Sequence, residues 1–213
     1  MKGLIAKDLL LIRQQLPSVL IVVICGIFMA FSFEPQIVIG YIAMVSAMTV
    51  AGTVGYDEYQ NGLRFLFTLP VSKKTYVYEK YLLTMAAVFI SGLLASCIAY
   101  FITAVIRHDP MDFTDLLTSY VMMTSVILIM CGVTLLVRIH FGSEKGRIIQ
   151  FVIYGILLVA LLLGTKIISL LNIKVSAPTV LPQETLPIVL IGAIIIFMVM
   201  EKITAGLMEK KEF

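Results

Sequence analysis

At 213 residues the chain is 60% hydrophobic and only 14% charged, against about 45–50% apolar and about 25% charged in an ordinary soluble domain. With a mean hydropathy of +1.04, that excess excludes a disordered chain, a nucleic-acid binder and a soluble enzyme. What remains is an all-α polytopic membrane protein, a single transmembrane domain over 1–213 whose spans consume most of its length. The net charge of +3, from 16 Lys and Arg against 13 Asp and Glu, is too small to imply a polyanionic partner, so placement matters more than the sum.

The opening segment, 2–15, sets Ile5, Leu9, Ile12 and Leu16 at helical spacing, with Lys7 and Gln14 away from them. That pattern fits an amphipathic helix lying in the membrane interface. A plain extension of the first span fits as well. No small-residue cleavage site follows the first apolar run, so no signal peptide is expected.

About 20 predominantly apolar residues cross about 30 Å of hydrocarbon, and six segments qualify: 16–33, 37–55, 81–106, 116–138, 148–171 and 187–204. Glu34-Pro35 separates the first two, and Pro187 opens the last, where a first helical turn tolerates it. Lys166 lies near the end of the fifth span and can snorkel to the interface. Basic residues settle the expected orientation. Lys2, Lys7, Arg13, Arg64, Lys73, Lys74, Lys80, Arg138, Lys145, Arg147, Lys202, Lys210 and Lys211 fall on one side, and only Arg107, Lys166 and Lys174 on the other. The positive-inside rule places both termini in the cytoplasm, which an even number of crossings requires.

Between the spans the sequence leaves little room. Tyr56, Tyr59, Tyr76, Tyr78 and Tyr81 bracket one cytoplasmic loop and read as an aromatic belt at the headgroups. His108, Asp109, Asp112 and Asp115 lie in one outer loop; Asp112 or Asp115 caps the following helix, and the set is too small for a metal site. Cys25, Cys97 and Cys131 sit in apolar runs and read as packing. No ionisable residue interrupts the first four spans between their ends, which argues against an ion-driven pump or a hydrophilic channel. Small residues recur four apart, Ala47-Ala51-Gly55 and Ser91-Ala95-Ala99 with Gly92 and Ser96 beside them, as close-packing faces within the subunit or between subunits.

The loop 57–80 is the longest polar interruption. Asn61 can cap a short helix over 62–69 that carries Leu63, Leu66 and Phe67 on one face. Pro70 ends it. Ser72 then caps the next helix, with Lys73 and Lys74 outside the membrane as the chain rises into the third span. The result is a short amphipathic helix at the inner surface, either an inert connection or a docking element for a soluble partner. The connection Gly142-Ser143-Glu144-Lys145-Gly146-Arg147 lacks the glycine spacing of a phosphate loop; as a tight charged turn it offers Glu144, Lys145 and Arg147 as a second contact to a partner.

Tyr56-Asp57-Glu58-Tyr59-Gln60-Asn61-Gly62-Leu63-Arg64-Phe65-Leu66-Phe67-Thr68-Leu69-Pro70-Val71-Ser72-Lys73-Lys74, followed by Tyr78-Glu79-Lys80-Tyr81-Leu82, resembles the permease subunits of ABC-2 type exporters. It is similar to the short permeases common in Gram-positive bacteria, such as those of phenol-soluble-modulin and antimicrobial-peptide exporters. The family pattern is an acidic residue, a glycine four on, a short apolar helix, then Leu-Pro-Val-Ser-basic; Glu58, Gly62, Leu69, Pro70, Val71, Ser72 and Lys73 take those places. Lys73 stands where Arg is common, and Leu63 where Thr is frequent.

The resemblance implies that 61–69 is a coupling helix seated in an ABC ATPase, with Glu58, Asn61, Gly62, Leu63, Arg64, Leu66, Phe67, Leu69, Pro70, Val71, Ser72 and Lys73 forming the contact. It implies a second permease copy or paralogue, ATP and magnesium bound by the partner ATPase and not by this chain, no catalytic site here, and a place in the bacterial plasma membrane. The implied activity is export of an amphipathic or hydrophobic substrate, with cytolytic or antimicrobial peptides foremost and lipids or drugs as alternatives. A membrane scaffold or sensor without transport is the contrasting class.

Overall fold

The computed structural model describes residues 2–59, 62–68, 71–106, 112–170 and 183–210. The described residues form helices and no strand: α1 (Lys2–Gln14), α2 (Leu16–Ser32), α3 (Pro35–Glu58), α4 (Gly62–Leu66), α5 (Lys73–Phe101), α6 (Phe113–Phe141), α7 (Ser143–Leu170) and α8 (Leu186–Glu209). α5 runs on through a π-helical turn, Ile102–Ile106. By length and composition α3, α5 with that turn, α6 and α8 can cross a membrane, and the bent pair α1–α2 brings the number among the described residues to five. The expected span over 148–171 falls on α7, where the side chains at 161 and 164–170, and residue 171 altogether, lie outside the described residues.

α1 and α2 meet at 61°. Pro17, in the first turn of α2, has no N–H to offer the carbonyl four residues back, so one straight helix cannot run through it. The inward face of α1 is not its apolar stripe. Leu4 and Asp8 are buried and Leu9 is exposed; Leu9 and Ile12 instead border an apolar groove of about 410 Å³ shared with α2, α3 and α5. At the α2–α3 turn, Glu34 is the extended N-cap residue and Pro35 occupies the first turn, where a missing N–H costs nothing.

α3 is the centre of the bundle. Val38, Ile39, Ile42, Ala43, Ala47, Val50, Ala51 and Val54 are all buried. Its small residues let α5 close on it, with Ala47 and Ala51 in the larger core and Ala95 beside Val38, Ile39 and Ile42 in a second cluster. The small-residue faces thus pack inside the subunit. Gly92 admits α6: a Cβ there would stand 3.0 Å from Thr124 Cγ2 and 3.1 Å from Tyr120 Cε2. At the far end, Asp112 takes the N-cap position of α6 without a side-chain cap bond, and Asp115 lies in the first turn, where its charge suits the helix dipole. His108 and Asp109 lie outside the described residues.

The aromatic belt is corrected in part. Tyr56, Tyr59 and Tyr78 are exposed, whereas Tyr76 and Tyr81 are buried. A buried phenol needs a hydrogen-bond partner, and Tyr81 has two: its hydroxyl donates to the Gly132 carbonyl at 3.1 Å and lies 2.8 Å from Thr204 Oγ1. Its ring packs on Phe197 at 5.0 Å between centroids. One side chain therefore ties α5 to α6 and α8. Tyr81→Phe is expected to cost about 1 kcal/mol, in the range of hydrogen bonds between membrane helices, read as a lowered unfolding temperature in detergent.

Candidate functional site

The interrupted stretch between α3 and α5 sits at the end of the bundle that gathers α1, the α6–α7 turn and the end of α8, here called the basic end. Its anchor is a buried ion network. Lys80 of α5 has no exposed surface, so its ammonium must be paired where water cannot solvate it. It bonds Asp8 of α1, and reaches Asp57 Oδ2 of α3 and Thr53 Oγ1, each at 2.8 Å. Tyr76, one turn before Lys80, donates its hydroxyl to Asp57 Oδ2 at 3.0 Å. Lys7 bonds Asp57 and lies 3.3 Å from Asp8 Oδ1. Burial disfavours the charged form of Lys7, but hydrogen bonding and charge from Asp57, then Asp8, outweigh it, and its pKa is raised. Glu79 is buried beside Asp8, and among the described residues neither its two oxygens nor Asp8 Oδ1 makes a hydrogen bond. Three carboxyls thus meet two ammoniums, one carboxyl more than the cations can pair.

Asp57 and Glu58 are neighbours on α3, about 100° apart around the helix, and they point to different partners. Asp57 faces α1 and α5. Glu58 instead accepts the backbone N–H of Ser143, the first residue of α7, satisfying a free donor where the helix dipole favours a carboxylate. Gly142 makes that approach available: it ends α6 at φ 86°, a conformation that only glycine adopts freely. The two loops expected as separate features therefore meet, and Gly55, Glu58, Tyr59 and Gly142–Lys145 line one polar cleft.

Gly62, four residues after Glu58, lies on the end of α3: a Cβ there would stand 2.6 Å from the Asp57 carbonyl oxygen. Only glycine fits that approach. The helix that follows is a single turn, Gly62–Leu66. It does not present Leu63, Leu66 and Phe67 outward, as a direct partner contact would require. Leu63 is buried, and Leu66 and Phe67 pack against the same core, with Phe67 edge-on to Tyr76 at 6.0 Å between centroids. The apolar face turns inward because Asp57 and Tyr76 already fix the wall beneath it. Among the described side chains the turn shows outward Phe65, 72% exposed, and Thr68.

Ser72 caps α5 as expected, its Oγ accepting from the Thr75 N–H at 3.2 Å. Lys74 pairs with Glu209 of α8 at 3.0 Å, and Lys73 Nζ lies 3.4 Å from the Glu209 carbonyl. Val71 is half-buried; Glu144, Lys145 and Arg147 are exposed. Asn61, Leu69 and Pro70, and the side chain of Arg64, lie outside the described residues.

The sequence alone does not reveal the network, because Asp57 and Lys80 bound the polar loop 57–80 and Asp8 carries no pattern of its own. One signal was present: Tyr76, Lys80, Thr84 and Val88 repeat every four residues and run into the small face at Ser91, Ala95 and Ala99. Lys80→Met leaves Asp8 and Asp57 buried without their shared cation and is expected to cost about 3–5 kcal/mol. Glu79→Gln keeps shape and removes the surplus carboxylate, and is expected to cost far less than Lys80→Met. Thermal unfolding of the two variants in detergent checks both.

Among comparisons with known proteins, the family model described as ABC-2 family transporter protein matches residues 3–208. No curated protein and no solved structure matches the chain.

Proposed function

The chain belongs to the ABC-2 family of transporter membrane proteins, and on that premise we propose that it is the permease of an ATP-driven exporter whose separate ABC ATPase docks at the turn 62–68. As a family member it is a multi-pass membrane transport subunit and not itself catalytic. In this reading the basic end faces the cytoplasm of a bacterial cell, in accord with the bias of basic residues. The ATPase holds ATP and magnesium, and a second permease, identical or paralogous, completes the pathway.

The observation that carries this reading is the seating of the 62–66 turn. It protrudes between two membrane-length helices, yet its inner face is locked to them by Gly62 on Asp57, by Phe67 on Tyr76 and by Leu63 in the core. Force applied at the exposed Phe65 would reach α3 and α5 through Asp57 and Lys80, and α7 through Glu58 and Ser143. An interfacial turn with no role has no need of three such ties. For the cargo, the apolar groove bordered by Leu9, Ile12, Val23, Ile42, Ile90 and Leu94 supports an amphipathic or hydrophobic substrate, and we place peptides ahead of lipids or drugs.

Co-expression with the ABC ATPase and reconstitution into liposomes tests the reading, with amphipathic peptides added to stimulate hydrolysis. Phe65→Ala is expected to leave the fold intact and to abolish ATPase co-purification and peptide-stimulated hydrolysis. Leu63→Ala is expected to act differently, lowering permease stability by about 2 kcal/mol or more. If Phe65→Ala, Glu58→Ala and the parent recover the same ATPase and export equally, the turn is not the docking element. If no ATPase is ever recovered, the scaffold reading replaces transport.

A further inference from the structure

A second polar system lies on the other side of the basic end, between α6 and α7. Gly146 is pressed against α6: a Cβ there would stand 3.1 Å from the Arg138 Cα and 3.3 Å from the Val137 carbonyl oxygen. Arg147 is the next residue, near enough that its charge acts on Arg138. Farther from the turn the two helices zip together through satisfied polar pairs. Gln150 Nε2 donates to Thr134 Oγ1 at 3.2 Å, the Tyr154 hydroxyl lies 2.8 Å from the same oxygen, and it donates to the Met130 carbonyl at 3.1 Å.

At its head this zipper is incomplete. Among the described residues Arg138 Nε is buried without an acceptor, and Gln150 Oε1 is buried without a donor. Among the described residues neither Arg138 nor Arg147 has an ion pair, although acidic groups are plentiful at this end. Asp8 and Asp57 are taken by Lys80 and Lys7, Glu58 by Ser143 and Glu209 by Lys74. Glu144, on the same turn, pairs with neither arginine among the described residues. Arg138 feels the positive charge of Arg147; like charges within reach repel, more strongly away from bulk water, and an anion set between them turns repulsion into two charge-assisted contacts.

The surroundings narrow the anion's source. Ile148, Phe151 and Val152 follow Arg147 and are all exposed, and Phe151 lies one turn on from it. A soluble anion gains nothing from that apolar face; a lipid does. We propose that Arg138 and Arg147 clamp the phosphate of an anionic phospholipid whose acyl chains lie along α7 over Phe151 and Val152. The site is separate from the 62–68 turn and does not rest on the docking reading.

The test uses the full chain in detergent, with phosphatidylglycerol or phosphatidylcholine added and retained lipid counted by native mass spectrometry. The parent is expected to retain phosphatidylglycerol in preference to phosphatidylcholine. At about a factor of five per basic residue at an anionic surface, Arg138→Gln with Arg147→Gln is expected to weaken retention on the order of thirty-fold. The exposed Arg147→Gln alone, which leaves the α6–α7 packing in place, is expected to show part of that loss if the pair disturbs folding. Equal retention of both lipids by the parent, or unchanged phosphatidylglycerol retention by the variants, overturns the proposal. So does inorganic phosphate competing at concentrations equal to the lipid's, which would make this a free-anion site. Loss of a co-expressed ATPase from the variants with lipid retention intact would overturn it too, assigning the arginines to a protein carboxylate.

Discussion

Everything at the basic end depends on one constraint: the ammonium of Lys80 has no access to water. An ion stripped of its hydration costs several kcal/mol unless close partners replace that hydration, so α1 and α3 must bring Asp8 and Asp57 to it. Small apolar faces such as Ala47, Ala51 and Ala95 let α3 and α5 approach, but packing of that kind is indifferent to modest sliding. An ion pair is not. With Tyr76 and Thr53 as further partners, the network fixes the register of α5 on α3 and holds the N-terminal helix against both.

That register governs the loop above it. Asp57 belongs to the network, and its own carbonyl oxygen is the surface on which Gly62 rests. Glu58, one residue on, leaves α3 at another angle and holds the start of α7. Two adjacent acidic residues therefore do unlike work: one locks the helices that flank the turn, and the other joins the turn's base to the α6–α7 connection. A displacement of the turn cannot stay local, because its backbone and its inner side chains are seated on residues already committed to three other helices.

How much of this was legible in the sequence divides along the range of the forces involved. Features decided by neighbouring residues could be read directly: the break at Glu34-Pro35, the Ser72 cap, the short helix after Gly62 and the small faces of α3 and α5. Features decided by what packs opposite could not. The stripe Leu63-Leu66-Phe67 has helical spacing whether it faces a partner or its own core, and only the wall built by Asp57 and Tyr76 turns it inward. Tyr76 and Tyr81 match an interfacial belt in composition, yet their hydroxyls find Asp57, Gly132 and Thr204, partners up to 123 residues away along the chain. Asp8 gave no local sign at all, since a lone acid in a short basic helix ordinarily faces solvent.

The two polar systems of the basic end differ in a way that separates structure from binding. Around Lys80 the charges are nearly closed upon themselves, two ammoniums against three carboxyls. Ion pairs among its own side chains hold four of those five groups, so the set can serve as a joint, while among the described residues the buried Glu79 oxygens make no hydrogen bond. Between α6 and α7 the charge does not close: among the described residues Arg138 and Arg147 have no ion pair, and Arg138 Nε is buried without an acceptor. Buried polar groups left open are costly, and a fold that satisfies Tyr154, Thr134 and most of Gln150 a turn away had the means to satisfy these as well. The asymmetry is what a joint on one side and a ligand-bearing surface on the other would produce.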